Sequence, residues 1–264
     1  MNKLTHKYQP IVDMIELRLI RHEALLRIDG VSDIEAYTRR LERSGQVVEL
    51  DLLTLQSIIE QHQAHIIKDP VNIAVNVSAV SLVNPQYQLI ALALLEQRSP
   101  LLTLSLEITE SAPLTDMPGA IDFVRKLQSM GCTVGMDDYG DGYASLAVLD
   151  QLHLDYLKLS SNLTTQFMDC DDARTKITDA VRFARERSIK VVAEHIDSPV
   201  QYKVLCDMGI QYGQGWLFAK ADNLIDHPEQ FQSELRARIR PAPRSDMASA
   251  SRPYHFGASV APAL

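Results

Sequence analysis

The sequence is poor in the features that would tie it to a disulfide scaffold or a membrane. Its 264 residues include only three cysteines, Cys132, Cys170 and Cys206, which are widely spaced and form no Cys-x-x-Cys pair. Isolated thiols of this kind predict single buried or partly buried cysteines in a reducing compartment. The longest apolar run, from Leu89 to Leu95, is far shorter than the roughly 20 residues that cross a bilayer. The opening MNKLTHKYQP also lacks the apolar stretch of a signal peptide. We therefore expect a cytoplasmic protein without a membrane segment.

An excess of positive charge is also absent, since the net charge is −8. This balance disfavours nonspecific binding to a DNA or RNA polymer, which uses a basic surface. It does not exclude an anionic small molecule as a ligand, because bound divalent cations reverse the local field.

Short β-rich segments alternate with longer amphipathic segments along most of the chain. Several short segments, such as Ile73-Ala74-Val75, are continuous apolar runs, which is typical of parallel strands covered by helices on both faces. Two predicted helices, Gln46–Gln61 and Asp172–Ser188, place apolar residues on one face. In the first of them this face is formed by Val48, Leu52, Leu55 and Ile59. Eight alternating units predict an α/β fold of the TIM-like (β/α)8 barrel type. The predicted strands are Tyr8–Asp13, Leu19–Ile28, Asn72–Ser78, Leu102–Thr109, Thr133–Asp138, Tyr156–Ser160, Lys190–His195 and Tyr212–Phe218.

The connection between the first two strands, from Val12 to Leu19, is too short for a helical crossover. Parallel strands need a crossover of about a dozen residues or more, so we expect the first strand to be antiparallel. A single barrel takes about 250 residues, and we predict this domain over residues 1–237. Residues 238–264, rich in Ala, Pro, Ser and Arg without any period, predict a poorly ordered tail.

Polar residues stand near the carboxyl ends of the predicted strands. In a TIM barrel these ends ring one face, where active sites are built. Several of the residues interrupt apolar strands, where an unpaired carboxylate is costly. In chain order they are Glu23, Asn76, Glu107, Asp137, Asp138, Lys158, Glu194 and Gln214.

Five of these residues are carboxylates, and Lys158 is their one cationic partner in the set. Like charges that converge stay ionised only if cations hold them. Oxygen ligands suit hard cations such as Mg²⁺ or Mn²⁺, and the adjacent Asp137 and Asp138 can hold two. Two ions about 3.5–4 Å apart favour phosphodiester hydrolysis by activated water. The alternative, in which each carboxylate is a helix cap, a surface group or a salt bridge, suits any single residue better than it suits the whole ring.

Eight segments resemble the EAL-domain cyclic di-GMP phosphodiesterase family, from about residue 6 to 225. Together they are a specific match, whereas the three letters Glu-Ala-Leu alone would be weak. The segments are YQPIVD (8–13), HEALLR (22–27), NVS (76–78), LEITES (106–111), DDYGDGYASL (137–146), LKL (157–159), VVAEH (191–195) and QGWLF (214–218).

This resemblance implies two divalent cations, Mg²⁺ or Mn²⁺, and assigns their ligands. The first ion would be held by Glu23, Asn76, Glu107 and Asp137, and the second by Asp137, Asp138 and Glu194. Catalysis would involve Glu23, Lys158, Glu194 and Gln214, with Lys158 orienting the attacking water and the proton acceptor left open.

The resemblance also implies contacts around the reacting centre. Gln9 and Arg27 match positions that contact the substrate, and Arg27 can bind a phosphate through two hydrogen bonds. Glu110 matches an acid that anchors the mobile loop 138–145. Because the family often dimerises near this loop, we also expect a homodimer.

Four features depart from the family's pattern. Asp141 stands where Thr is usual between two glycines, and Ser160 replaces an Asp after Lys158. After Glu194, His195 and Asp197 replace a Gly and a Glu, and the short segment after Arg27 lacks the usual Trp. None of these changes removes a predicted metal ligand. All of them touch the loop, the support of the ligands or the substrate wall.

Two histidines beside the ring need a separate interpretation. Oxygen ligands already suffice for the cations, so we interpret His195 as a loop residue rather than a ligand. His22 alternates with Glu23 along its strand and should point away from the site.

The sequence as a whole predicts a cyclic-guanylate-specific phosphodiesterase that opens cyclic di-GMP to the linear dinucleotide pGpG. The alternative is a weak or inactive EAL-type barrel that senses cyclic di-GMP or docks a protein. The altered loop favours that alternative, and the complete set of ligands speaks against it. A related phosphodiesterase that acts on another nucleotide is also compatible with the pattern.

Overall fold

The computed structural model describes residues 3–63, 69–142 and 145–239, and within them eight strands close into one barrel in sequence order. This architecture confirms the predicted TIM-like barrel. The strands are β1 (Leu4–Asp13), β2 (Arg18–Ile28), β3 (Val71–Ser78), β4 (Leu102–Thr109), β5 (Thr133–Tyr139), β6 (Tyr156–Leu159), β7 (Lys190–Ala193) and β8 (Tyr212–Gly213).

Helices cover the outside of the barrel. In the described part of the chain they are α1 (Ile34–Ser44), α2 (Val47–Gln61), α3 (Ala79–Leu82), α4 (Pro85–Glu96), α5 (Met117–Ser129), α6 (Leu146–Leu152), α7 (Ser161–Gln166), α8 (Asp171–Glu186), α9 (Pro199–Asp207) and α10 (Pro228–Ile239). None of these helices is both long enough and apolar enough to cross a membrane.

The first strand is antiparallel to both of its neighbours, β2 and β8, as predicted. A tight turn joins β1 to β2, in which Asp13 Oδ1 accepts the N–H groups of Ile15 at 2.9 Å and Glu16 at 3.0 Å. Leu17 takes a left-handed φ of 52° in this turn. So short a connection reverses the chain and cannot cross over the sheet.

Three strands end earlier than the sequence predicts, β6 by one residue and β7 and β8 by more. β7 stops at Ala193, and β8 contains only Tyr212 and Gly213 rather than continuing to Phe218. At Gly215 the chain packs against the backbone of Ile196, where a Cβ would lie 2.3 Å from its nitrogen. This close approach follows the end of β8 and carries the chain out of the ladder.

The outer faces of the strands form the core with the helices. On α2 the buried apolar residues are Val47, Leu50, Leu55, Ile58 and Ile59, whereas the predicted Val48 and Leu52 are only partly buried. Burying an aliphatic side chain of this size contributes about 1.5–3 kcal/mol. The correct apolar face of α2 is therefore rotated from the predicted one by part of a turn.

The predicted tail begins inside a helix. Arg238 and Ile239 end α10, and Leu235 on the same helix is buried against the core. Residues 240–264 of the predicted tail lie outside the described residues.

Candidate active site

The barrel interior is polar at the carboxyl ends of the parallel strands. Neighbouring strands hold the polar residues side by side, since Gln9 pairs with Glu23 across β1 and β2, and Asn76 with Glu107 across β3 and β4. All eight residues of the ring predicted from strand ends meet here through the contacts described below.

The ammonium group of Lys158 lies among four carboxylates. Its Nζ is 3.1 Å from Glu23 Oε2 and 3.1 Å from Glu107 Oε2. It is also 2.7 Å from Asp137 Oδ1 and 2.7 Å from Glu194 Oε1. Burial opposes the charge, but the surrounding carboxylates raise the pKa of Lys158 well above its ordinary value. Lys158 is therefore a fixed cation inside the barrel.

Glu23 is held by neutral donors as well as by Lys158. Asn76 Nδ2 donates to Glu23 Oε1 at 2.8 Å, and Gln214 Nε2 donates to Glu23 Oε2 at 2.7 Å. Burial works against ionisation, but Lys158 and these two amides together lower the pKa of Glu23. Glu23 is therefore ionised at neutral pH.

Asp137 and Asp138 both face the site although they are adjacent on a strand. Regular alternation would send one of them to the opposite face. Asp138 instead takes a left-handed φ of 56°, and the pairing of β5 with β6 shifts between Met136 and Tyr139. An irregularity of this kind re-aims a side chain, and aspartate tolerates the left-handed region better than most residues.

The other ring carboxylates hold their protons to higher pH. Burial raises the pKa of Glu107 to about 8 and that of Asp138 to about 7, and repulsion from neighbouring carboxylates adds to both shifts. Burial also raises the pKa of Asp137, and it raises that of Glu194 well above its ordinary value. The ring has more acidic groups than Lys158 can neutralise, so a divalent cation would compete with these protons.

The donor set fits two hard divalent cations. Carboxylate oxygens of Glu23, Glu107 and Asp137 lie within 4.8 Å of one another, and so do those of Asp137, Asp138 and Glu194. The two groups share Asp137. Asn76 Oδ1 is buried next to the first group and has no hydrogen-bond partner among the described residues, although such an oxygen is costly to leave unpaired. Carboxylate and amide oxygens are the ligands that Mg²⁺ and Mn²⁺ prefer.

A second polar layer, missed by the sequence analysis, lies beneath this ring. The Tyr156 hydroxyl donates to Glu107 Oε1 at 2.9 Å, and the guanidinium carbon of Arg21 lies 4.3 Å from the centre of the Tyr156 ring. Arg21 Nη1 donates to Ser105 Oγ at 2.7 Å. These residues precede Lys158, Glu23 and Glu107 by two positions, and the two-residue period of a strand was the signal that could have found them.

A cleft of about 750 Å³ opens above the ring. Gln9 and Arg27, the predicted substrate contacts, both line it. Arg27 Nη1 donates to the carbonyl of Leu26 at 2.8 Å, while Ile28, at the position of the missing Trp, is buried. Helix α1 supplies further wall, including Arg39, which the sequence analysis did not predict.

The part of the cleft wall that follows β7 and β8 carries an exposed aromatic residue that the sequence analysis also missed. Trp216 lines the cleft and exposes 58% of its surface. Asp197 Oδ1 accepts the Trp216 N–H at 3.0 Å, and Asp197 Oδ2 lies 3.2 Å from His195 Nε2. The His195 and Trp216 ring centres are 6.4 Å apart. His195 thus belongs to this wall and, within the described residues, to neither carboxylate group.

The loop after β5 is anchored on two sides. Glu110 Oε2 accepts the N–H of Gly142 at 2.8 Å, and a Cβ on Gly142 would lie 2.2 Å from the Glu110 side chain. Asp141 Oδ2 accepts from Asn162 Nδ2 on α7 at 2.7 Å. Ser160 caps α7 through its hydroxyl, which accepts from Leu163 N–H at 3.4 Å.

His22 lies outside the ring, where its Nε2 accepts from Ile225 N–H at 3.3 Å.

The family model described as EAL domain matches residues 1–221. The chain belongs to the EAL-domain family. This membership confirms the resemblance seen in the sequence.

Curated relatives and solved structures agree with the assignment. The chain is 30% identical to the probable cyclic di-GMP phosphodiesterase PdeG of Escherichia coli, over 88% of this chain and 47% of that protein. It is also 30% identical to an uncharacterized protein of Mycobacterium tuberculosis, over 81% of this chain and 74% of that one. Among solved structures, the PaMucR phosphodiesterase in complex with c-di-GMP superposes with a TM-score of 0.70 at 27% identity, covering 83% of this chain and 96% of that one. The chain therefore spans about half the length of PdeG, and it covers only 31% of a longer relative from Azorhizobium caulinodans.

Proposed function

We propose that this barrel hydrolyses cyclic di-GMP to linear pGpG, with two divalent cations, Mg²⁺ or Mn²⁺, in the ring. The observation that carries the proposal is the pair of carboxylate groups that share Asp137 around the buried Lys158. Relatives named as cyclic di-GMP phosphodiesterases and the PaMucR complex support the choice of substrate.

The cations would be held as the family resemblance assigns them. Glu23, Asn76, Glu107 and Asp137 form the first site, and Asp137, Asp138 and Glu194 form the second. When bound, the ions supply Lewis acidity and an acidified water. Lys158, fixed among four carboxylates, orients the water and stabilises the charge that develops on the phosphate. Gln214 and Asn76 keep Glu23 in place by donating to its two oxygens.

The cleft above the ring would take the rest of the dinucleotide. Arg27 is placed to bind a phosphate through its guanidinium, and Gln9 lies next to Gln214, whose Nε2 is 3.2 Å from Gln9 Oε1. In the part of the wall that follows β8, Trp216 offers an aromatic face to a base.

The test is incubation of the purified full chain with cyclic di-GMP and Mn²⁺, followed by chromatography of the products. We expect pGpG from the wild type and none from Glu23→Ala, which loses a ligand of the first ion. Glu49→Ala, which changes an exposed glutamate on α2, is the matched control and should keep full activity. Ca²⁺ should inhibit, because it accepts looser coordination than Mg²⁺. Intact substrate with demonstrably bound Mn²⁺ contradicts the proposal.

A second candidate is a barrel that binds cyclic di-GMP without useful turnover. The observation that favours it is Asp141, which adds an acidic group to the loop beside Asp138 and is tied to α7 through Asn162. Calorimetry separates the two functions, because tight metal-independent binding without product supports the sensor. The homodimer predicted by resemblance is part of the same proposal, and light scattering in solution tests it.

A further inference from the structure

The layer below the ring contains a buried tyrosine that touches one metal-site carboxylate and none of the open cleft. Tyr156 is fully buried, and its hydroxyl donates to Glu107 Oε1 at 2.9 Å. The other oxygen of the same carboxylate, Oε2, is the one that lies 3.1 Å from Lys158 Nζ. The two oxygens of Glu107 therefore have different partners, one below the ring and one inside it.

The tyrosine ring is itself fixed from three sides. Arg21 places its guanidinium 4.3 Å from the ring centre and is held there by a 2.7 Å hydrogen bond to Ser105. Ile11 and Val192 pack around the ring. Gly135 on β5 leaves room for it, since a Cβ at this position would lie 2.4 Å from the ring.

The pairing also has an electrostatic side. Arg21 is a second buried cation in the barrel interior, beside the Tyr156 ring. A phenylalanine would fill the same space without needing a partner for a hydroxyl. The hydroxyl of Tyr156 is thus explained by its hydrogen bond to the Glu107 carboxylate and not by the packing of the ring.

We propose that Tyr156 is a positioning residue that locks the side chain of Glu107, so that Oε2 is presented to the first cation, with Arg21 holding the tyrosine in place. The inference rests on the proposed metal role of Glu107. Partners of this kind around metal ligands typically change metal affinity by about 10–100-fold when they are removed.

The experiment is calorimetric titration of chelator-treated full-length protein with Mn²⁺ in the absence of any nucleotide. Tyr156→Phe keeps the ring and its contact with Arg21 and removes only the hydroxyl. We expect its Mn²⁺ affinity to fall by about 10–100-fold. Tyr212→Phe is the matched control, because Tyr212 packs in the same layer and carries Lys190 at 5.6 Å over its ring. Its affinity should equal that of the wild type.

Arg21→Met provides a second variant if Tyr156→Phe does not fold, and its Mn²⁺ affinity should also fall. If Tyr156→Phe folds and binds Mn²⁺ with wild-type affinity, the inference is overturned, even if the unfolding temperature of the variant falls. If Tyr156→Phe does not fold, wild-type affinity in Arg21→Met overturns the inference instead. Mn²⁺ binding without hydrolysis by the wild type contradicts the proposed function and leaves the inference standing. Absence of Mn²⁺ binding by the wild type contradicts both.

Discussion

Single side chains in the ring determine how the barrel accommodates several buried acidic groups. Lys158 neutralises part of the charge, and together with the amide donors it keeps Glu23 ionised. Burial raises the pKa values of the remaining carboxylates because it disfavours their charge. Binding of the proposed cations would therefore be coupled to the release of protons from these residues.

This coupling predicts that Mn²⁺ affinity rises with pH. The pKa of Asp138 is raised to about 7 and that of Glu107 to about 8. Below these values the ligands are protonated and the ion must displace protons, so affinity falls as pH falls. Calorimetry at a series of pH values from about 6 to about 8.5, in buffers of different ionisation enthalpy, measures both affinity and proton release. A constant affinity over this range contradicts the assignment of these carboxylates as ligands.

Asp141 provides a second test at the residue scale. Its charge raises the pKa of Asp138, although burial and Asp137 matter more. Asp141→Asn removes the charge and keeps an oxygen that can accept from Asn162. We expect Mn²⁺ affinity to decrease about two- to fivefold at low salt, the usual size of an exposed charge interaction. The reason is that the charge of Asp141 attracts a doubly charged ion more strongly than it attracts the single proton on Asp138. The loss should vanish at high salt through screening.

Asn162→Ala is the control for this substitution, because it breaks the 2.7 Å hydrogen bond and leaves the charge of Asp141 in place. A similar loss of affinity from Asn162→Ala would show that the loop anchor, and not the charge, sets the effect.

The identity of the ring could be read from the sequence because carboxylates inside apolar strands are expensive and therefore noticeable. Arg21 and Tyr156 were missed for a different reason. A buried arginine or tyrosine at an inward position is interpretable only when its partner is known, and the partners Ser105 and Glu107 lie on β4, far along the chain. Trp216 was missed as a wall residue because its exposure depends on where β8 stops.

Among the elements, α1 stands out because it forms a wall of the cleft without burying a single residue. Glu42 near its end provides an anchor. Its Oε1 accepts from the hydroxyl of Ser78 at 2.6 Å and from the hydroxyl of Ser111 at 2.6 Å. Ser78 is the last residue of β3 and Ser111 follows β4, so Glu42 joins the wall to the strands that present Asn76 and Glu107.

We predict that Glu42→Ala loosens this wall. A hydrogen bond to a charged group contributes about 1.5–3 kcal/mol. Losing the two bonds of Glu42 should lower the free energy that is needed to open α1 locally. Hydrogen exchange followed by mass spectrometry should show faster exchange over 34–44, and the KM for cyclic di-GMP should rise while kcat changes less. Glu42→Gln keeps an acceptor oxygen and should stay close to the wild type. Equal exchange in Glu42→Ala and wild type would contradict the anchor.

The order of the elements and the antiparallel first strand were predictable, because the apolar period and the length of the β1–β2 connection are local properties of the sequence. The ends of β7 and β8 were not. They depend on the packing of Gly215 against Ile196, a contact between two loops whose separation in space the sequence does not give. The buried face of α2 was also predicted wrongly. A helix with apolar residues on several sides can bury more than one face, and the sequence alone does not show which face packs against the strands.

The molecule as a whole also carries a buried histidine cluster away from the ring. His6, His22 and His62 surround Tyr8, with ring centres 6.5, 6.4 and 5.8 Å from that of the tyrosine. Burial, together with a smaller repulsion from His62, lowers the pKa of His6 to about 4 and that of His22 to about 4. The folded protein thus keeps these rings neutral.

Acid should therefore destabilise the fold through this cluster. Between the ordinary pKa of 6.5 and the folded value of about 4, the unfolded chain binds a proton at His6 that the folded chain does not. The free energy of unfolding falls by up to about 1.4 kcal/mol per pH unit from this group. Ring carboxylates with raised pKa values act in the opposite direction, because they bind protons more readily when folded.

The variant His6→Leu isolates the contribution of His6 to the pH dependence of the unfolding free energy. The unfolding free energy of His6→Leu, measured with urea from about pH 6.5 to about pH 4.5, should fall less steeply than that of the wild type, by roughly 1.4 kcal/mol per unit at most. His227→Leu, at an exposed position, should follow the wild-type slope. Parallel curves for His6→Leu and wild type would contradict the prediction.

The reversed first strand has one more consequence, which concerns how the barrel can be joined to other modules. Leu4 pairs with Ile28, and the carbonyl of Lys3 accepts the N–H of Asp29 at 3.1 Å, so the chain enters beside the segment that follows Arg27. In a barrel with eight parallel strands the entry would lie at the far end. Here any polypeptide joined ahead of Leu4 would lie at the rim of the cleft. A movement of that polypeptide would act directly on the segment beside Arg27, and it would not have to be transmitted through the barrel.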